Sequence, residues 1–404
     1  MAETNERALL PAGMADWLPP AADHEADAVE TLIAAFRRWG YDRVKPPLLE
    51  FEDSLLAGPG QAVADNTFRL MDPVSQRMMG LRADVTVQVA RVATTRLHGK
   101  PRPLRLAYAG QVMRVRGSQL RPSRQFGQVG AELIGPDHAE ADAEAIVLAA
   151  RSLRQLGIKE LSIDLGLPTL VPALGRSFGL SAGIMEKLQA ALDRKDAVAV
   201  QDLGNELGAD ALECMATLLT AVGPADTTVE RLASLPLSSD AARERDRLAD
   251  VVALVRAAEP TLSLTLDPVE RRGLEYHTGV TFAVYAPGAR GELGRGGRYR
   301  AGSADNATDQ NQEGEAATGL SFYMDTVLQV APMKPVAPRI FAPFGSDTTV
   351  VDALRAEGHS VIAGFPSPNE PQSDAHVLGC AERLEGDQRV PVSTAQTPTA
   401  EENN

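Results

Sequence analysis

Asp84 and Thr86, two residues apart in Leu81-Arg82-Ala83-Asp84-Val85-Thr86, put a carboxylate and a hydroxyl where a strand passes into a helix. Both groups accept N–H donors, so the pair suits an ammonium ion. The same spacing makes an ordinary helix N-cap, and locally both readings stand. Arg114 ends a largely apolar run, Tyr108 to Met113. A cation there needs a partner, because an unpaired buried charge is expensive. A bound carboxylate or phosphate and an internal salt bridge both qualify. Gln128 and Glu132 are four apart on the returning strand, an even spacing that puts both on one face. Polar groups on a core-facing strand are unusual unless they line a cavity. Arg272-Gly273-Leu274-Glu275-Tyr276-His277-Thr278-Gly279 lies between two apolar strands, either as a plain hairpin turn or as the carrier of a second anion-binding arginine. Gly294-Arg295-Gly296-Gly297-Arg298-Tyr299 reads as a Gly-rich loop that holds a ligand against bare backbone, without P-loop spacing.

The elements that must position these residues follow from periodicity. Val29, Leu32, Ile33 and Phe36 fall at helical spacing, and Gly40 is a left-handed stop. Tyr41 to Pro47 reads as a short strand running into an extended proline segment. A hairpin is expected around Pro73, a helix from Asp84 to Leu97, and a long hairpin from Arg105 to Gly135. A helix from Asp142 to Leu156 ends at Gly157, and Leu161, Ile163 and Leu165 alternate like a strand. Residues 168–257 are Ala- and Leu-rich and read as a helical insertion. Strands return at Thr261 to Leu266 and Val280 to Tyr285. Residues 300–317 lack an apolar anchor and read as a mobile loop. Gly319 to Val330 reads as a strand-to-helix element. The expected domains are 1–330, a small α/β appendix over 335–392, and a tail over 393–404 with disordered composition. In the appendix, strands are expected at Arg339 to Phe344, Ser360 to Phe365 and Ala375 to Leu378, with a helix from Thr348 to Glu357.

The chain has 404 residues, enough for two or three domains, and 44% hydrophobic content with 4% aromatics. Its net charge of −14 argues against a surface built to hold a long nucleic acid. Cys214 and Cys380 are far apart and form no metal or disulfide pattern; reduced, buried thiols are expected. The polar start, Met-Ala-Glu-Thr-Asn-Glu-Arg, lacks the layout of a signal peptide, and no apolar run of about 18 residues suits a membrane span. A cytoplasmic protein is expected.

Taken in order, these segments resemble the catalytic domain of histidyl-tRNA synthetases, class II ligases, from about Leu10 to about Gln329. Pro11 to Pro19 is similar to that family's opening segment and Gly40 to Glu50 to motif 1, which builds the dimer interface. Ala109 to Gly135 resembles motif 2, and Arg272 to Gly279 the histidine-specific Arg-Gly-Leu-Asp-Tyr-Tyr signature. Gly297-Arg298-Tyr299 and Gly319 to Val327 resemble the approach to motif 3. The resemblance implies an α+β fold, a class II antiparallel sheet flanked by helices. It further implies that Asp84, Thr86 and Gln128 meet the ammonium of histidine. Glu132 faces the imidazole with Tyr276, His277 and Tyr299 beside it, and Arg114 and Arg272 meet the carboxylate. Asp84 stands where the family has Glu, and His277 where it has Tyr.

The departures cluster at the nucleotide. Motif 3 of the synthetases ends in Glu-Arg, and its Arg clamps the phosphates; here the pair is Asp325-Thr326. A neutral threonine cannot offset developing phosphate charge. Arg114-Val115-Arg116 replaces Arg-x-Glu, and Arg300 stands where the family has Asp. The C-terminal part is short, and from Lys334 onward it carries five basic against ten acidic residues, a poor balance for reading tRNA. This pattern is similar to the regulatory-subunit family of short-form ATP phosphoribosyltransferase. That resemblance implies no catalytic residues, no cofactor and no metal, with L-histidine as ligand. It implies a homodimer within a larger hetero-oligomer with the catalytic subunit, and feedback inhibition of the first step of histidine biosynthesis. Neither tRNA nor a membrane is an expected partner. The alternative is a histidine-tRNA ligase with an aberrant motif 3, which Thr326, Arg116 and the acidic C-terminus oppose.

Overall fold

Ala28, Leu32, Ile33, Ala35 and Phe36 are buried along one stripe of α1 (Ala21–Arg38). Their i, i+4 spacing is what a helix lying on a core requires. Trp39 caps the helix, and Gly40, at φ +81°, turns the chain where a side chain would be strained. The computed structural model describes residues 9–235, 237–271, 276–302, 314–367 and 370–392. It divides into two units, Met1–Pro332 and Met333–Asn404.

In the first unit, β1 (Asp42–Arg43) precedes a three-stranded sheet made of β2 (Leu49–Phe51), β3 (Arg69–Met71) and β4 (Met78–Leu81), with α2 (Glu52–Leu55) between β2 and β3. The hairpin expected around Pro73 is the β3–β4 pair. α3 (Thr86–Thr95) follows, then the long hairpin of β5 (Leu104–Met113) and β6 (Gln125–Ile134), α4 (Ala139–Gln155) and β7 (Ser162–Gly166). The region expected as a helical insertion contains α5 (Leu170–Ser177), α6 (Ala182–Asp193), α7 (Ala197–Asp202), α8 (Gly204–Leu207), α9 (Ala209–Thr220), α10 (Ala225–Ala233) and α11 (Ser239–Ala258), with the two-residue β8 (Gly223–Pro224). β9 (Ser263–Asp267), β10 (His277–Tyr285), β11 (Gly294–Ala301), β12 (Glu315–Tyr323) and α12 (Met324–Val327) complete the unit.

The main sheet runs β1–β5–β6–β12–β11–β10–β7–β9–β8 and is antiparallel through its centre. Two pairs, β1–β5 and β7–β9, are parallel. Parallel neighbours need a long crossover, and the helical block between β7 and β9 supplies it. This is the class II synthetase-like α+β architecture. The period of two divides the sheet into faces. Ala107, Val129 and Ala131 join the core under α1 and α4, whereas Leu106, Tyr108, Phe126 and Tyr299 join the core under α3.

Two elements differ from expectation. Gly294 to Tyr299 is not a loop but most of β11, between β10 and β12. Glycine is depleted in strands, which is why the run reads as a loop. Here its backbone is approached closely: a Cβ at Gly296 would overlap the Gly319 carbonyl and the Phe282 ring. In the second unit, β13 (Arg339–Ala342), α13 (Thr348–Ala356) and β14 (Ser360–Ala363) match the expected pattern. The segment expected as a third strand, Ala375 to Leu378, belongs instead mostly to α14 (Pro371–Val377), started by proline in its first turn. A short apolar run does not distinguish helix from strand. The remaining strands are β15 (Glu382–Glu385) and β16 (Gln388–Pro391), and the sheet order is β14–β13–β15–β16. Of the expected mobile loop over 300–317, residues 303–313 lie outside the described residues, as do the expected tail over 393–404 and Arg272 to Glu275.

Candidate amino-acid pocket and its neighbouring cavity

Glu132 stands on β6 with its side chain on the α3 face of the sheet and is almost fully buried. The partner strands hold it. Tyr108 on β5 donates to Oε1 at 3.2 Å and Tyr299 on β11 donates to Oε2 at 3.0 Å. A Cβ at Gly319 on β12 would overlap Oε2, so the glycine leaves the space the carboxyl occupies. Burial pushes the Glu132 carboxyl up to about 8; the Tyr299 hydrogen bond opposes this and the Asp84 carboxylate adds to it. Burial and the Glu132 charge push the phenols of Tyr108 and Tyr299 far above their usual range, so both stay donors.

Gln128, four residues earlier on the same face, ties this carboxyl to the start of α3. Its Oε1 accepts from the Val85 amide at 2.9 Å, and its Nε2 donates to Asp84 Oδ1 at 3.2 Å and Ser321 Oγ at 2.8 Å. Asp84 Oδ1 also accepts from the Thr86 amide at 2.8 Å. Asp84 thus stabilises the first turn of α3, and the same carboxylate lines a pocket. Thr86 Oγ1 lies 3.0 Å from Tyr108 Oη, and Tyr108 Oη lies 2.7 Å from Ser321 Oγ. Five elements thus meet in one polar network.

Asp84, Thr86, Glu132, Tyr276, His277 and Tyr299 line the pocket. The Tyr276 and His277 rings are 4.1 Å apart, and Tyr276 meets Tyr299 edge-on at 6.1 Å. About 20 Å³ of open space remains. Gln128 supports the pocket from behind through its hydrogen bonds. Arg114 is not brought to it. Its guanidinium packs over the Phe126 and Tyr323 rings, 5.1 and 5.9 Å from their centroids, and lines a neighbouring cavity of about 800 Å³. There the guanidinium stacks on the two rings, and Arg114 is not among the residues that line the pocket around Glu132. Arg272 lies outside the described residues.

Sequence reasoning missed four participants. Tyr108 and Ser321 sit inside apolar strands and show no local signal beyond an alternate-position polar atom. Tyr323 precedes the motif 3-like pair and lines the pocket. Arg295, hidden in the glycine-rich run, lines both spaces. Its Nε donates to Glu292 at 3.1 Å, and the nearby Tyr323 and Glu292 hold its guanidinium firmly protonated. By contrast Arg298, in the same run, is structural. It forms a buried ion pair with Asp142 at 2.9 Å and donates to the Pro136 and His138 carbonyls.

Two of the three sequence departures lie on the wall of the large cavity, and Arg300 is not among its lining residues. Thr326 and the exposed Arg116 line it. Arg300 donates to the Gly314 carbonyl at 3.2 Å. Arg121, also on the wall, is already neutralised: it lies 3.4 Å from Asp325 and donates to the Glu292 carbonyl at 3.3 Å and Thr326 Oγ1 at 3.5 Å. Burial raises the Asp325 carboxyl, and Arg121 opposes that shift. Cys214 and Cys380 are both buried and unpaired. Among the described residues no helix is long and apolar enough to cross a membrane.

Residues 13–327 match the family model for histidyl-tRNA synthetase. The ATP phosphoribosyltransferase regulatory subunit of Paramagnetospirillum magneticum is 51% identical over 97% of this chain and 100% of its own length. That of Rhodospirillum centenum is 50% identical over 92% of this chain and 93% of its own. The crystal structure of a regulatory subunit/histidyl-tRNA synthetase from Bacillus halodurans superposes with a TM-score of 0.79 at 22% identity, over 95% of this chain and 99% of that one, and shares its fold. The chain therefore belongs to the ATP phosphoribosyltransferase regulatory-subunit family, built on a histidyl-tRNA synthetase-like domain.

Proposed function

We propose that this chain binds L-histidine in the pocket around Glu132 and conveys feedback inhibition to a separate catalytic ATP phosphoribosyltransferase subunit, without catalysing a reaction itself. The observation that carries the reading is the polarity of the pocket. A buried carboxyl faces a second carboxylate with a hydroxyl beside it, and Arg295 is the one arginine or lysine lining the space among the described residues. Glu132 accepts from the imidazole N–H. Asp84 and Thr86 take the ammonium, and Arg295, with Arg272 as the resemblance implies, takes the carboxylate. A ligand enters by moving the Tyr276–His277 ring pair, which lines the space. Adenylation is opposed by Thr326 and by the internal neutralisation of Arg121. The subunit acts in the cytoplasm as a homodimer within a hetero-oligomer, and tRNA is not a partner.

The test combines three measurements. Calorimetry should detect L-histidine binding, histidine-dependent pyrophosphate exchange should be absent, and the catalytic subunit assayed with this chain should lose activity as histidine is added. Robust pyrophosphate exchange would restore the ligase alternative, and activity insensitive to histidine would refute the regulatory reading.

A further inference from the structure

The pocket and the large cavity meet at a partition. Arg295 lines both spaces. Beside it, the buried Tyr323 lines the pocket, with its ring edge-on to Phe126 at 5.9 Å. Arg121, on the cavity side, lies over the same ring with its guanidinium 3.8 Å from the centroid. Asp325, Thr326 and the Glu292 carbonyl fix Arg121 from the other side. The wall is thus one aromatic ring and one guanidinium thick, and it is held from both flanks.

The geometry points to Tyr323 and Arg121 as a specificity-determining partition: they close the carboxylate end of the pocket, so that it accepts a free amino acid and rejects one extended through its carboxyl group. The inference rests on the histidine reading of the pocket. With the imidazole at Glu132 and the ammonium at Asp84 and Thr86, the carboxylate points to Arg295, which borders the partition. Any group attached there must run through the space of the Tyr323 ring and Arg121. A substituted amide, an ester or a peptide of the amino acid is therefore excluded although about 800 Å³ lies just beyond. The subunit reads the free compound and ignores its activated or conjugated forms.

Calorimetry with L-histidine, L-histidinamide and N-benzyl-L-histidinamide tests this. Both amides lack the carboxylate charge, so the ratio of their affinities reads size alone. The native protein should bind the benzyl amide weaker than the parent amide by about a hundredfold. Tyr323→Ala and Arg121→Ala should each narrow that ratio to within about tenfold, whereas Tyr323→Phe keeps the ring and the ratio. Should Tyr323→Ala not fold by circular dichroism, Arg121→Ala alone decides. Equal binding of the two amides by the native protein overturns the partition, as does a ratio unchanged in the alanine variants. Absence of L-histidine binding overturns the histidine reading and this inference with it; retained L-histidine binding with an unchanged ratio overturns the partition only.

Discussion

Replacing Glu132 by Gln gives a penalty in histidine affinity that depends on pH in a calculable way. The substitution keeps shape and removes charge. A hydrogen bond to a charged acceptor contributes about 1.5–3 kcal/mol, so loss of the carboxylate costs ten- to a hundredfold in affinity once the carboxyl is ionised. Burial holds that carboxyl at about 8. At about pH 8.5 most native molecules are already ionised and the full penalty is expressed. At about pH 7, ionising the carboxyl first costs on the order of 1 kcal/mol, which offsets part of the advantage over glutamine. The ratio of native to Glu132→Gln affinity should therefore be several-fold larger at about pH 8.5 than at about pH 7. Histidine's own titration enters both proteins equally and cancels in the ratio. Calorimetry at the two pH values reads the effect, and in the assembled transferase the histidine midpoint of inhibition should move by the same factor, because effector binding and inhibition are linked. Equal penalties at both pH values would refute the raised carboxyl as the cause. No penalty at either would remove Glu132 from the ligand's contacts.

Three further outcomes follow from the same geometry. Glu132 binds its proton in the folded chain up to about 8 but releases it near 4.5 when unfolded, so native stability should fall as pH rises through that window, by roughly 4–5 kcal/mol relative to Glu132→Gln; parallel urea titrations that fail to diverge would contradict this. Asp142→Ala leaves the buried Arg298 guanidinium with the half-exposed Asp137 as its one carboxylate partner and should cost up to about 3–5 kcal/mol, read as a lower urea midpoint at constant slope; a loss under about 1 kcal/mol would show that Asp137 and the carbonyls suffice. Gly319→Ala places a methyl on Glu132 Oε2 and should weaken histidine binding by more than about tenfold, while Gly183→Ala, in open space on α6, leaves it unchanged; equal binding in both would place the ligand elsewhere.

Periodicity alone determined much of this molecule. The stripe of α1, the β5–β6 hairpin and the helical character of 168–257 are local patterns, and local patterns are set by side-chain spacing along one element. The same period of two placed Gln128 and Glu132 on one face, and the structure shows both on the α3 side. Motif order identified the family because the unusual residues there, Asp84, Glu132 and Asp325-Thr326, are readable one at a time.

Tertiary structure decided the rest. Tyr108, Tyr299, Ser321 and Thr86 converge on Glu132 and Gln128 from four other elements, and no spacing in the chain encodes pairing between strands distant in sequence. Arg114 and Arg295 look alike in sequence as solitary cations. Only the packing of Phe126 and Tyr323 turns the first toward the large cavity, while the register of β11 with β12 leaves the second on both spaces. The glycines of β11 misread as a loop for the same reason: their absent side chains are answered by Phe282 and the β12 backbone, contacts that exist only once the sheet has formed.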